Sequence, residues 1–156
     1  MKLMPFIFVL LSSLVNAQES ISIDKVIGKF SSNITEVHVY KDHNKCKIIF
    51  GKNQSITSVD TCDITLINEH DLNNDGYDDL TVVSAPSNGC TYNAITYSFT
   101  NTKPKILVPL FMVETECEPL TNDQLQSLVG TQDHKIFHLE TDVNDENFRK
   151  VKVFNN

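Results

Sequence analysis

The sequence predicts a mainly β protein: a single antiparallel β domain, sandwich-like or like part of a propeller, with one short helix near residues 122–129. Three observations predict it. Short runs rich in Val, Ile, Thr, Tyr and Phe recur along the chain, several with the alternation of a half-buried strand. Clusters of Asn, Asp, Gly and Pro separate these runs. Only one window carries both the start and the stop signals of a helix.

The first 17 residues stand outside this pattern. Lys2 precedes the apolar run at 4–11, and the small residues Val15-Asn16-Ala17 follow, as in a signal peptide. The run is too short to span a membrane. Removing 17 of the 156 residues leaves 139, from Gln18 on, enough for one domain with a real core. No later stretch is apolar enough for a membrane span.

Ile21–Ile27 reads as a short strand. Glu36-Val37-His38-Val39-Tyr40 alternates as a strand does, and Asp42-His43-Asn44 turns the chain into a second strand at Lys45–Phe50. Residues 51–55 read as a turn and 57–67 as a third strand. Asp79–Ser84 carries Leu80, Val82 and Val83 as a buried strand. Ala85-Pro86-Ser87-Asn88-Gly89 is a loop with two strong breakers.

Thr91–Thr100 is a long strand, Asn101-Thr102-Lys103-Pro104 a turn, and 105–116 a strand in which Pro109 implies an edge or a bulge. The helix is expected over 122–129. Thr121 or Asn122 caps it, Leu125, Leu128 and Val129 form its apolar face, and Gly130 stops it. Residues 136–140 and Arg149–Phe154 read as a closing pair of strands. No repeat period appears.

Charge narrows the function classes. Thirteen basic against twenty acidic residues give −7, one unit more negative once Lys2 leaves. Without basic clusters, nucleic acid and anionic membranes are poor partners. A basic protein partner suits the acidic field.

Four cysteines imply two disulfides in an oxidising compartment, periplasmic or secreted. Three connectivities are open. Mirrored positions about turn-like stretches favour Cys46–Cys62 and Cys90–Cys117. No Cys-x-x-Cys pair occurs, which argues against structural zinc.

The densest chemical signal is Asp71-Leu72-Asn73-Asn74-Asp75-Gly76-Tyr77-Asp78-Asp79-Leu80. Asp71, Asn73, Asp75 and Asp79 fall at relative positions one, three, five and nine, and Gly76 sits where a tight loop must turn. Tyr77 would offer its backbone carbonyl. Ca2+ takes six to eight such oxygens. Five acids, Glu69, Asp71, Asp75, Asp78 and Asp79, crowd this stretch with no Lys or Arg among them, so an empty loop repels itself. Position twelve, where an EF-hand carries its bidentate Glu, is Val82, and both flanks have strand character.

The strand–loop–strand pattern resembles the calcium loop of FG-GAP repeats, the integrin α-chain type. The resemblance implies a structural Ca2+ bound between two strands. It extends to the loop alone, since one loop in 139 residues does not make a multi-bladed propeller. The same loop, with the later Tyr92–Thr100 strand, helix and closing strand in order, is similar to a group of small exported bacterial proteins. These are periplasmic immunity proteins or lysozyme inhibitors that act against peptidoglycan-cleaving enzymes. That resemblance implies an inhibitor whose partner is a basic peptidoglycan hydrolase.

Some lysozyme inhibitors carry Ser-Gly-x-x-Tyr on the inhibitory loop. Here the nearest stretch is Ser87-Asn88-Gly89-Cys90-Thr91-Tyr92, with Asn88 interposed. It makes Ser87, Asn88, Gly89 and Tyr92 the candidate protein-binding residues. The competing reading is an ordinary loop with Tyr92 in the core.

No catalytic set emerges. His70 flanks the acidic loop, Ser87 lacks a nucleophile elbow, and His134 and His138, expected on one face of a strand, have no third ligand. The expectation is a binding protein rather than an enzyme. The alternative is a secreted carbohydrate- or surface-binding module with a structural calcium, disfavoured by the absence of Trp. Asn33-Ile34-Thr35 and Asn53-Gln54-Ser55 fit the N-glycosylation pattern.

Overall fold

Three antiparallel meanders follow one another along the chain, each built from strands adjacent in sequence. The computed structural model describes residues 21–42, 45–51, 54–57, 62–85, 90–100, 103–115, 117–141 and 149–154. The expected leader and Ser87, Asn88 and Gly89 lie outside the described residues.

The first sheet runs β1 (Ile21–Ile27), β2 (Glu36–Asp42), β3 (Lys45–Phe50) and β4 (Gln54–Thr57). The second runs β5 (Ile64–His70), β6 (Asp79–Ser84), β7 (Thr91–Thr100) and β8 (Lys103–Glu114). After helix α1 (Asn122–Gln126) the third pairs β9 (Val129–Gln132), β10 (Lys135–Thr141) and β11 (Arg149–Phe154), with β10 central. The mainly β, antiparallel class is as expected.

The second sheet is the middle layer, and β6 explains why. All six of its residues are buried. Leu80 and Val82 face the first sheet, in a cluster with Phe30, Val37, Val39, Ile48 and Phe50. Val83 faces the other way, in a cluster with Val108, Phe111, Leu128, Val129 and Ile136. Alternate residues of a strand point to opposite faces, so a strand buried along its whole length is covered on both sides, its polar members Asp79, Thr81 and Ser84 included. Phe99 of β7 closes the first cluster, its ring 5.4 Å from that of Phe30 and 5.0 Å from that of Phe50. Each fully buried side chain of this size contributes about 1.5–3 kcal/mol relative to exposure.

The helix departs from expectation. It ends at Gln126, and Val129 opens β9 instead of lying on a helical face. The start reads as predicted: Thr121 caps α1 in a reciprocal capping box with Gln124. The stop is a tertiary effect. Leu128 is drawn into the core and its carbonyl accepts the Leu139 N–H at 2.9 Å. Gly130 is not a helix stop. It sits in β9 opposite Phe137, and a Cβ there would meet that ring at 2.8 Å.

Three further boundaries shift. The strand expected over 57–67 is two strands, β4 and β5, and β4 begins inside the expected turn at 51–55. The strand expected over 105–116 runs Lys103–Glu114, with Pro104 facing Phe99 across the hairpin. His134 belongs with Asp133 to a left-handed turn joining β9 to β10, so His134 and His138 do not share a strand face.

Both expected disulfides form. Cys90–Cys117 closes the open end of the β7–β8 hairpin, as the mirrored spacing implies. Cys46–Cys62 does more than span a hairpin. Cys46 lies in β3, whereas Cys62 lies just before β5, so the bridge ties the first sheet to the second. Two disulfides accord with an oxidising, extracellular environment. Among the described residues no helix is long and apolar enough to cross a membrane.

Candidate cation-binding loop

The acidic loop joins β5 to β6, two neighbouring strands of the middle sheet. Its side chains fold back on its own backbone. The Asp71 carboxylate accepts the N–H groups of Asp75 at 2.9 Å and of Gly76 at 2.8 Å. Asn73 Oδ1 accepts the same Asp75 N–H at 2.9 Å. Asp75 Oδ1 accepts the Tyr77 N–H at 3.0 Å. Such Asx contacts are the local chemistry that lets Asn and Asp shape turns. Two residues are left-handed, Asn74 at φ 59° and Gly76 at φ 87°. A Cβ on Gly76 would meet nothing within 4 Å, so glycine is needed there for its backbone angle and not for space.

Ser98 on β7 fixes the inner side of the loop. Its hydroxyl donates to Asp75 Oδ2 at 3.2 Å and accepts from Asn73 Nδ2 at 2.9 Å. The amide of Asn73 is thereby turned so that Oδ1 stays on the loop side.

Asp79 is the most confined member. It is fully buried, and its Oδ2 accepts the Leu72 N–H at 2.9 Å. Its Oδ1 is buried with no hydrogen-bond partner. Burial pushes this carboxyl up to about 7, and the charges of Asp75 and Asp71 push the same way; the Leu72 N–H opposes them, while the nearby Ser98 hydroxyl is committed to Asp75 Oδ2. An uncompensated buried carboxylate oxygen is costly, and a bound cation is one of the few things that compensates it.

Among the described residues, no three His, Cys, Asp or Glu side chains already converge as a metal cluster. The carboxylates of Asp71 and Asp75 are instead turned onto loop N–H groups. The donor set nonetheless fits a hard cation. It is all oxygen, it includes an amide, and Asp79 Oδ1 has no competing partner.

The loop is clamped from the first sheet by residues that the local sequence does not single out. Asp78 Oδ2 accepts the Lys29 N–H at 2.6 Å and the Asn68 Nδ2 amide at 3.2 Å. The Asp78 N–H returns a bond to the Lys29 carbonyl at 2.8 Å. Lys29 Nζ donates to the Gly76 carbonyl at 3.0 Å and stands 5.2 Å from the centre of the Tyr77 ring. So the run of acids without a basic residue in sequence acquires one in space. Asp24 of β1 adds a third tie, its Oδ2 accepting the Leu66 N–H of edge strand β5 at 2.9 Å.

A bulge precedes the loop. Asn68 pairs with Leu80 and His70 with Asp79, leaving Glu69 as the extra residue. The His70 N–H donates to Asn68 Oδ1 at 2.8 Å, and His70 adopts φ 57° with its ring exposed, 4.0 Å from Asp78. Glu69 turns the other way, toward Thr81. Burial pushes its carboxyl up to about 7, opposed by the Thr81 hydroxyl and reinforced by the Asp79 charge.

Of the candidate protein-binding residues, only Tyr92 is described. It packs against the cluster around Val108 and Phe111, and its hydroxyl accepts the Leu120 N–H at 3.3 Å. Both its ring and its hydroxyl therefore have structural work in the fold. His138 is buried, its ring centre 4.2 Å from that of Phe111. No protein-family model, curated protein or solved structure matches the chain.

Proposed function

We propose that this chain is an exported, calcium-braced β protein that binds another protein and inhibits a cell-wall-degrading enzyme, as a lysozyme inhibitor or an effector immunity protein does. One observation carries the calcium part: Asp79 Oδ1, buried without a partner beside an oxygen-rich loop. Asp71, Asn73, Asp75 and Asp79 would hold the ion through side chains and Tyr77 through its carbonyl. Bound Ca2+ supplies the positive charge that offsets repulsion among these carboxylates.

The chain's own residues do the bracing. Asp78 and Asn68 fasten the loop to the first sheet, and Ser98 fastens it to β7. A scaffold already ordered in this way loses less entropy when it binds. The net charge of −7 supports a basic partner, since opposite fields speed encounter. The disulfides and the leader-like first 17 residues support export to the periplasm or beyond.

The test is a titration of the chain from Gln18 onward against a panel of lysozymes and other peptidoglycan hydrolases, with calcium and with chelator. Inhibition of at least one enzyme, weakened by chelator, is the expected result. No binding and no inhibition across the panel would sink the reading. Binding to a glycan array instead would favour the carbohydrate module.

A further inference from the structure

A cleft of about 370 Å³ opens on the side of the middle sheet away from Lys29, between β5, α1 and β9. Ile67, Leu72 and Val129 give it apolar walls, Gln126 and Thr131 stand at its polar side, and Glu69 lines it next to the bulge. Its size is within the range of small-ligand sites, which run from about 300 to 1,000 Å³. No Lys or Arg lines it.

Glu69 is the unusual member. Its carboxyl takes the Thr81 hydroxyl, while its Oε1 is buried and has no hydrogen-bond partner. Thr81 is itself 2.8 Å from the Thr96 hydroxyl. With Thr81 donating to Glu69, Thr96 must donate to Thr81, so this short chain ends on the carboxyl and leaves Oε1 unserved. The last torsion of a Glu side chain is soft, so the carboxyl can turn that oxygen toward a donor in the cleft.

We propose that this cleft binds an organic cation, an alkylammonium or alkylguanidinium group, with its N–H donors on Glu69 and its alkyl stem along Ile67, Leu72 and Val129. The surroundings exclude the other ligand classes. A hard divalent ion needs six to eight oxygens, and the cleft offers one carboxyl. An anion meets the Glu69 carboxyl and no Lys or Arg, with the exposed His70 ring and the Asn68 and Gln126 amides as its only side-chain N–H donors. A neutral sugar can donate a hydroxyl to the carboxylate but leaves its charge unbalanced, whereas a charged N–H donor does both and forms the stronger, shorter kind of hydrogen bond. The cleft shares Leu72 with the acidic loop, and Asp79 acts on both Leu72 and Glu69, so its occupancy is measured with calcium and in chelator. The same group can arrive as a free amine or as a Lys or Arg side chain of another protein.

The experiment is a ¹⁵N–¹H NMR titration of the chain from Gln18 onward with n-butylammonium, n-butylguanidinium and, as a neutral match, n-butanol, in calcium and in chelator. Shifts confined to the amides of Ile67, Glu69, Val129, Gly130 and Thr131, seen with both cations and absent with butanol, are expected at about millimolar affinity. Equal shifts with butanol, or none at these amides by about 50 mM cation, overturn the proposal. Glu69→Gln should weaken the cations about tenfold or more, and unchanged affinity overturns it. Should that variant not fold, Thr131→Phe, at an exposed lining position, should narrow the cleft and weaken both cations; undiminished binding overturns it. A capped Gly-Lys-Gly peptide then identifies the source. Tighter binding than butylammonium assigns the site to a protein side chain, and equal or weaker binding assigns it to a free amine.

Discussion

Lys29 and Asp78 exchange two hydrogen bonds, one to a side chain and one between backbones, across the gap between the first and second sheets. The Lys29 N–H reaches Asp78 Oδ2 at 2.6 Å, and the Asp78 N–H reaches the Lys29 carbonyl at 2.8 Å. The acidic loop is therefore part of the contact between sheets and not an appendage of one hairpin. Its geometry and the packing of β1 against β5 stand or fall together.

Gly28 tests this coupling. A Cβ there would lie 2.6 Å from Asn68 Nδ2, 2.8 Å from Asp78 Oδ2 and 2.8 Å from the tip of the Phe30 ring. All three neighbours are engaged: Asn68 and Asp78 with each other, and Phe30 in the core. Gly28→Ala should therefore cost about 1–3 kcal/mol, the range for overpacking a filled site. Urea unfolding measures it. A loss below about 0.5 kcal/mol, the scale of an ordinary surface change, would mean that the two sheets separate easily at this point.

Asp79→Asn separates a ligand from a structural acid. The new amide keeps an oxygen for the Leu72 N–H and removes a buried charge. Without calcium the variant should be at least as stable as the parent at pH 8. Its response to calcium should be lost, whereas the parent should gain about 2.7 kcal/mol at a hundredfold excess over Kd. Melting curves in chelator and in calcium give both values. An undiminished calcium shift in the variant removes Asp79 from the ligand set.

The strands of the fold were legible because their signals are local. Alternation in Glu36–Tyr40, breakers around Asn101, and the spacing of Asp71, Asn73 and Asp75 all lie within a few residues. The loop's supports were not legible for the converse reason. Lys29, Ser98 and Asp24 meet it or its strand from 23 to 49 positions away, brought there by topology. The end of α1 failed in the same way: Leu128 and Val129 have helical spacing from Leu125, but core burial and the Leu139 bond hold the chain extended. Glu69 was legible only as one of five crowded acids; its place in a bulge was not, since a bulge is a property of two strands and not of one.

The Cys46–Cys62 bridge closes 16 residues of chain and joins two sheets. In the chain-entropy account a loop of this length stabilises by about 3 kcal/mol. The double variant Cys46→Ala/Cys62→Ala should lose that much, and somewhat more because Cys46 is fully buried in the first core cluster. Cys90–Cys117 closes a longer loop of 27 residues, worth about 0.5 kcal/mol more in the same account, but removing it leaves the contact between sheets intact and empties no fully buried site, Cys117 being exposed. Denaturant midpoints of the two double variants compare them. Equal slopes with a lower midpoint for the first pair are expected, and the reverse order would contradict the inter-sheet role.

Acidity gives the remaining prediction, and its sign follows from Asp79 and Glu69. Both carboxyls are pushed up to about 7, Asp79 from 3.8 and Glu69 from 4.5. The folded chain therefore keeps protons that the unfolded chain releases between about pH 4 and 7. Stability of the calcium-free protein should fall as pH rises through that window and level off above it, because each buried carboxyl must ionise with hydrogen bonds but no opposite charge beside it. The two groups sense each other, so the fall belongs to the pair and is broader than a single titration. Calcium should reverse the trend. A ligand carboxyl must lose its proton to bind, so apparent affinity should climb with pH, by up to about tenfold per unit below 7, and then flatten. Calorimetric titration at four or five pH values measures the climb, and chemical unfolding in chelator measures the fall. Asp79→Asn should abolish the first and leave the part of the second that belongs to Glu69. Calcium affinity that stays constant from pH 5 to 8 would show that Asp79 takes no part in holding the ion.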